Sequence, residues 1–295
     1  MRYAIGVDAG GTHLRVALLN ETGKIVAKET SIVGPERSPE KFFTQLAQVI
    51  QKTAGDRLKK IDGIGLGLPG ICNPKEGVIH QLPHYPEWKD VPVGKILKKS
   101  FKVPVYFDND ANMAALGEHW KGVARKYPTF IMLTLGTGIG GGLILENKLW
   151  RGEEGFAGEV GHMVIERNGR PCACGGQGCW ERYASAGAVP KGQTALSLSK
   201  LAEAGDGAAK DFWREFGEYL GMGIGNLANI TGVEHFVLAG GVSKAWPHFI
   251  DAAKKKIAKG TYPRLSKKIV LTESSLKGDA ALLGCAFAVF KGFGG

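Results

Sequence analysis

Two stretches of this chain share one layout, an apolar strand, a glycine-bearing turn and a second apolar strand. The first runs through Tyr3–Val7, the turn Asp8-Ala9-Gly10-Gly11-Thr12, and Leu14–Leu19. The second runs through Phe130–Leu135, the turn Gly136–Gly142, and Leu143–Leu145. Strand formers alternating around a short glycine turn read as a β-hairpin. Consecutive residues without side chains also let backbone N–H groups converge on a phosphate. A repeated phosphate-cradling hairpin implies two related lobes with phosphates between them, which excludes an all-helical chain. In the first turn Gly10 and Gly11 would supply amides and Thr12 a hydroxyl. Asp8, at the strand end, stands where it could hold a magnesium ion through water. A merely tight turn would look the same. Gly136, Thr137 and Gly138 are the counterparts in the second turn. Glycines 136, 138 and 141 also satisfy GxGxxG, but they lead into a strand rather than a helix, so the match to a dinucleotide fold is weak.

The chain between and after these hairpins alternates strands and helices. A third strand is expected at Ile25–Val33. A helix opens at Ser38-Pro39-Glu40, with a capping serine and a proline in the first turn, and buries Phe42, Leu46 and Ile50. A buried strand, Ile61–Leu68, ends at Gly70, which either brings backbone close to a ligand or simply turns the chain. A helix at Val93–Phe101 and a strand at Val103–Phe107 lead into Asp108-Asn109-Asp110-Ala111-Asn112 and a helix carrying Met113, Leu116 and Trp120. Polar residues crowded where a strand meets a helix face the crevice of an open α/β sheet. The plainer reading makes Asp110 a helix cap and Asp108 a surface acid. Further on, Asp211–Ile230 is helical, with Gly221, Gly223 and Gly225 permitting close packing. A strand at His235–Leu238 ends at Gly240-Gly241, which leave room for a flat adenine or ribose, or form a turn. A basic helix at Trp246–Ala258, a strand at Ile269–Thr272 and a helix from Asp279 to Phe290 complete the chain. That last helix is expected to return to the first lobe, giving a small lobe of residues 1–110 plus 280–295 and a large lobe of 111–279.

Between Glu159 and Glu181 lie three of the chain's five cysteines. Cys172, Cys174 and Cys179 form a CxCGxxGC cluster, and His162 lies ten residues upstream of the first of them. Zinc takes four such ligands tetrahedrally, and a site closed by four protein ligands is structural. A disulfide would leave one thiol over, with Cys72 and Cys285 far off, and no redox CxxC pair is present. His162 could also be a plain core residue.

With 295 residues and 44% apolar composition, two ordinary domains can each bury a core. No run approaches the roughly 18 apolar residues of a membrane span, and Met1 leads directly into a strand without a secretory leader. A cytoplasmic protein is expected. The formal charge of +10 is scattered, and the denser runs at Lys254–Lys256 and Lys267–Lys268 read as a solvated face. Without interleaved exposed aromatics, no nucleic-acid partner is expected.

Taken together, DAGGT at 8–12, NDAN at 109–112, LGTGIGGG at 135–142, EVGH at 159–162, CACGGQGCWE at 172–181 and LAGG at 238–241 resemble the ROK family of bacterial sugar kinases, and within it the ATP-dependent glucokinases. The motifs run in the same order and cover nearly the whole chain. The resemblance implies a two-lobed ribonuclease-H-like α/β fold, shared with actin and hexokinase, bearing a small zinc loop. It implies Asp110 as catalytic base, and Asn109, Glu159, His162 and Glu181, with Gly70 and Asp110 nearby, as the sugar-binding set. His162 would bind zinc through one ring nitrogen and face the sugar with the other. ATP, magnesium and a structural zinc are the implied cofactors, a homodimer the implied assembly, and glucose the implied acceptor, with fructose, mannose, N-acetylglucosamine and N-acetylmannosamine as alternatives. Transcriptional repressors of the family carry an N-terminal helix-turn-helix domain. Here the hairpin begins at residue 3, and an enzyme is expected. The segment His80–Trp88 is expected to border the sugar pocket or to be a surface loop.

Overall fold

A computed structural model describes residues 1–34, 36, 38–82 and 85–292, with the side chains of 85 and 86 excepted. Part of the segment expected to border the sugar pocket, residues 83 and 84, therefore lies outside the described residues. In chain order the elements are β1 (Tyr3–Ala9), β2 (His13–Asn20), β3 (Ile25–Ile32), α1 (Pro39–Ala54), β4 (Ile61–Leu68), β5 (Ile71–Asn73), β6 (Val78–Leu82), β7 (Tyr85–Val91), α2 (Val93–Phe101), β8 (Val105–Asn109) and α3 (Asp110–Lys121). There follow β9 (Phe130–Leu135), β10 (Ile139–Leu145), β11 (Lys148–Trp150), α4 (Ala195–Glu203), α5 (Gly207–Thr231), β12 (His235–Ala239), α6 (Trp246–Gly260), α7 (Pro263–Ser266), β13 (Val270–Glu273) and α8 (Ala280–Lys291). The chain forms two compact units, one of residues 1–126, 142–157 and 275–295, the other of 127–141 and 158–274.

In the first unit five strands lie in the order β3-β2-β1-β4-β8. The β1–β2 and β2–β3 pairs are antiparallel, while β4 and β8 run parallel to β1. A strand covered on both faces reads as a continuous apolar run, and β1 is buried from Ala4 to Ala9. On one face Ile5, Val7, Leu14, Val16 and Leu18 pack with Phe42, Leu46 and Ile50 of α1. On the other, Ala4, Ala17 and Leu19 pack with Leu282, Leu283 and Ala286 of α8. Helix α1 starts as its sequence requires, the Lys41 amide donating to Ser38 Oγ at 3.4 Å. Asp279 stands at the N-cap of α8 without a capping bond, because its carboxylate pairs with Lys28 instead.

Helix α8 does return to the first unit. Residues 111–126 and 142–157 belong there too, rather than to the larger lobe expected to begin at 111. The physical reason is backbone-to-backbone packing. A Cβ at Gly284 would run into the Met113 carbonyl, and one at Gly117 into the Ala280 carbonyl, so α3 and α8 touch at distances only these small residues allow. Strand β10 begins in the second unit and ends in the first, where Gly142 lies against Ala111.

The second sheet has the order β11-β10-β9-β12-β13, with β9, β12 and β13 parallel. In the second unit α5 and α6 pack through Trp213, Phe216 and Phe249, the last two with ring centroids 5.2 Å apart. The glycines of α5 serve the close packing expected of them: Gly221 faces Ala253, and Gly223 admits the ring of Trp180. The Trp180 indole N–H donates to the Tyr219 carbonyl at 2.9 Å.

Candidate active site

In the first unit the register places Arg15 opposite Asp8, Asp8 opposite Gly67, and Gly67 opposite Asp108, one row across β2, β1, β4 and β8. Asp8 and Asp108 are 5% and 1% exposed, so neither is a surface acid. Each has an arginine. Arg15 pairs with Asp8 and also donates to the Gly278 carbonyl at 2.7 Å, while Arg151 Nε donates to Asp108 Oδ2. The N-cap of α3 is Asn109 rather than Asp110: Asn109 Oδ1 accepts from the Ala111 amide at 2.8 Å and the Asn112 amide at 3.4 Å. Its Nδ2 donates to the Gly70 carbonyl at 3.1 Å. Gly70, at φ 93°, thus both turns the chain and meets a candidate ligand residue. Asp110 is the first residue of α3, with its Cα over Gly67, where an added Cβ would lie 3.3 Å away. In the β1–β2 turn the Gly10 amide donates to the His13 carbonyl at 2.9 Å, so that N–H closes the turn itself.

Burial pushes the Asp8 carboxyl up to about 6, against the pull of Arg15, and the charge of Asp110 adds to the rise. An acid that holds its proton more tightly folded than unfolded contributes most below its unfolded value of 3.8, and the contribution is lost as the pH rises through about 6. A shift of about 2 units corresponds to about 3 kcal/mol. Asp8→Asn is therefore expected to lose less stability than the unaltered chain between about pH 4 and pH 7, as read by urea unfolding at the two values. Identical losses would remove Asp8 as the source. A buried acid beside a second carboxylate is also a donor set that suits a magnesium ion held by one or two carboxylates and by substrate phosphates.

In the second unit the four expected zinc ligands come together. One ligand atom from each of His162, Cys172, Cys174 and Cys179 lies within 4.8 Å of the others. A tetrahedron with Zn–S of about 2.3 Å and Zn–N of about 2.0 Å has S–S edges of about 3.8 Å and N–S edges of about 3.6 Å. Cys174 Sγ and Cys179 Sγ are 3.7 Å apart, and so are Cys172 Sγ and His162 Nδ1, so the set fits the metal. All five cysteines are free of disulfides. Burial pushes the Cys172 thiol up to about 12 and raises Cys179, while the Gly176 amide lowers Cys174. Zinc binds thiolates, so its uptake must release protons.

Around this cluster Glu181 Oε1 accepts from the Cys172 thiol at 3.2 Å and lies 3.9 Å from His162 Nδ1. Glu159 Oε2 lies 3.8 Å from His162 Nε2, the ring nitrogen turned away from the sulfurs. Burial raises the Glu159 carboxyl, His162 opposes the rise and Glu181 adds to it. Glu181 also lies against the second glycine turn, where a Cβ at Gly138 would collide with its Oε2. That turn is tied to the residues after Glu181: the Ala186 amide donates to the Gly136 carbonyl at 2.9 Å, and Ser185 Oγ to the Thr137 carbonyl at 3.0 Å. Gly240, at φ 99° and with a Cβ blocked by the Leu135 carbonyl, is required by its turn, whereas Gly241 faces open space.

Three residues that sequence reasoning missed or misplaced are Arg15, Asp108 and Arg151. The first was legible, because a tight hairpin fixes which residue stands opposite Asp8. Nothing local marks Arg151, which lies 43 residues from Asp108.

A family model described as ROK family matches residues 4–292. The glucokinase of Halalkalibacterium halodurans is 34% identical over 98% of this chain and 95% of its own length. A xylose repressor of Caldicellulosiruptor bescii is 32% identical over 97% of this chain and 78% of its own. Among solved structures, a ROK family glucokinase from Streptomyces griseus in complex with glucose and AMPPNP superposes with a TM-score of 0.82 at 28% identity, covering 98% of this chain and 99% of that one.

Proposed function

Because the chain belongs to the ROK family, we propose that it is a sugar kinase that transfers the γ-phosphoryl of ATP to the 6-hydroxyl of a hexose, with glucose as the preferred acceptor. The observation that carries the reading is the carboxylate pair of the first unit. Asp110 opens α3 directly over the row that holds Asp8, close enough for the charge of one to act on the other, and Asp8 leads into the Gly10-Gly11-Thr12 turn. In this reading Asp110 is the catalytic base: it aligns the acceptor hydroxyl and takes its proton as transfer proceeds. Phosphoryl transfer is driven chiefly by positioning and charge stabilisation. Gly11, Thr12, Gly136, Thr137 and Gly138 hold the phosphates, Gly10, whose amide closes its own turn, leaves room for their approach, and Gly240 and Gly241 border the nucleoside. Asp8, with Asp110 beside it, would hold magnesium, which when bound neutralises phosphate charge.

Asn109, Glu159, His162 and Glu181 are assigned to the sugar hydroxyls. Cys172, Cys174, Cys179 and His162 Nδ1 would hold a structural zinc, and a ring fixed on one nitrogen leaves the other able to make one defined hydrogen bond. Glucose is favoured by the glucokinase relatives. The xylose repressor likeness supports a second reading, a sugar-responsive regulator. We expect a homodimer, which sedimentation velocity reads directly. No described helix is long and apolar enough to cross a membrane.

The test is ADP release with glucose, fructose, mannose, N-acetylglucosamine and N-acetylmannosamine, using ATP and then polyphosphate as donor. The expected result is an ATP-dependent reaction with kcat/KM for glucose at least about tenfold above the rest, a margin within reach of pocket contacts. Faster turnover of another hexose would displace glucose and leave the kinase standing. Absence of sugar-dependent ADP release with all five would sink the kinase reading.

A further inference from the structure

Asn109 caps α3, and something must in turn fix Asn109. The Gly70 carbonyl holds its side chain, and Asp108, next to it in β8, holds its backbone. Asp108 Oδ1 accepts the Asn109 amide at 2.8 Å and Asn112 Nδ2 at 2.7 Å, and so binds the first residue of the turn to the first turn of the helix, on either side of Asp110. At 1% exposure the Asp108 carboxylate has almost no water to pair with. It needs a partner, since an unpaired buried charge is strongly disfavoured. Arg151, immediately after β11, donates its Nε to Asp108 Oδ2 and completes the set of three donors.

Arg151 is itself held in place. The Ala157 amide donates to its carbonyl at 3.0 Å, closing the loop 151–157. Gly155, at φ 88°, seats that loop on β5, where a Cβ would strike the Cys72 carbonyl. The run of contacts from Arg151 through Asp108 to the Asn109–Asn112 turn is therefore continuous, and lies entirely in the first unit.

We propose that Asp108 and Arg151 are positioning residues for the reaction: Arg151 pairs with Asp108 and orients it, Asp108 clamps the two ends of the turn, and Asp110 is thereby aimed at its acceptor hydroxyl. The proposal rests on the reading of Asp110 as catalytic base. Misplacing a catalytic group by about 1 Å can lower a rate about 100-fold without weakening ground-state binding. The signature is thus a fall in kcat with little change in KM, in protein that melts well above the assay temperature, so that a smaller folded fraction does not account for it.

The experiment compares steady-state kinetics and thermal melting of Arg151→Gln, of Arg151→Gln combined with Asp108→Asn, and of Asp110→Ala. The combined variant removes the buried charge along with its partner, so it stays informative if the single variant fails to fold. The expected result is a drop in kcat of about 10- to 100-fold in the folded variants, with KM for ATP and sugar within about threefold of the unaltered chain. Near-normal kcat in the combined variant, or a loss confined to KM, overturns the proposal while an inactive Asp110→Ala leaves the kinase reading intact. An active Asp110→Ala removes Asp110 from its role and takes this proposal with it.

Discussion

Asp110→Ala is expected to lower kcat by about 10²–10⁴-fold, the range over which a positioned acid or base contributes, while leaving ATP affinity nearly unchanged. The fold should tolerate the change. The cap of α3 is Asn109, whose Oδ1 accepts the Ala111 and Asn112 amides, so Asp110 is not needed to satisfy them. What Asp110 adds to the helix is a second acceptor for the Ala111 amide, at 2.8 Å, and its charge in the first turn, each worth about 1 kcal/mol or less. Removing the Asn109 cap would cost about 1 kcal/mol or more. Stability and catalysis therefore separate cleanly at position 110. Single-turnover kinetics and calorimetric titration with a non-hydrolysable ATP analogue measure the two sides. Turnover within about tenfold of the unaltered chain would remove Asp110 as the base.

Stripping zinc is expected to act on the other half of the reaction. With the metal bound, His162 is fixed through Nδ1 and its Nε2 is presented beside Glu159, 3.8 Å away. Glu181 shares the cluster through its contact with Cys172. Without metal, four groups that compete for protons remain in one small volume, and the segment is held by its backbone bonds and by the packing of Trp180. The backbone bonds include Ile165 to Gly178 at 2.9 Å, Cys172 to Gly176 at 2.8 Å and Trp180 to Met163 at 2.8 Å. Structural zinc contributes an apparent binding free energy of about 10 kcal/mol or more in small zinc domains, so both sugar affinity and the melting temperature should fall. Nucleotide affinity should change least. Calorimetric titration of sugar and of nucleotide, on protein whose zinc content has been measured before and after chelation, reads all three. Unchanged sugar affinity in zinc-free protein would break the link through His162.

Much of this was legible in the residues alone. The two glycine hairpins, the buried strand β4 and the Ser38 cap of α1 follow from local rules: alternation, turn chemistry, capping and apolar periodicity act within a few residues. The Cys172–Cys174–Cys179 spacing is of the same kind, since glycines 175, 176 and 178 let the chain fold back on itself within one short loop. Long-range pairing was another matter. Reading Asp108 as a surface acid failed because burial of a charge is decided by its partners, and its arginine arrives from a loop 43 residues later. Placing α3 in the other lobe failed because its partner, α8, lies more than 150 residues away, and the match between Gly117, Gly284 and the facing carbonyls is a property of two backbones in contact. The sequence by itself determined most of the strands and helices and the Cys₃His cluster, but not β6 and β7, which stand where a pocket border or surface loop was expected and bury Trp88. Only the tertiary structure decided which acids are buried, which arginines answer them, and so what holds the turn around Asp110 in place.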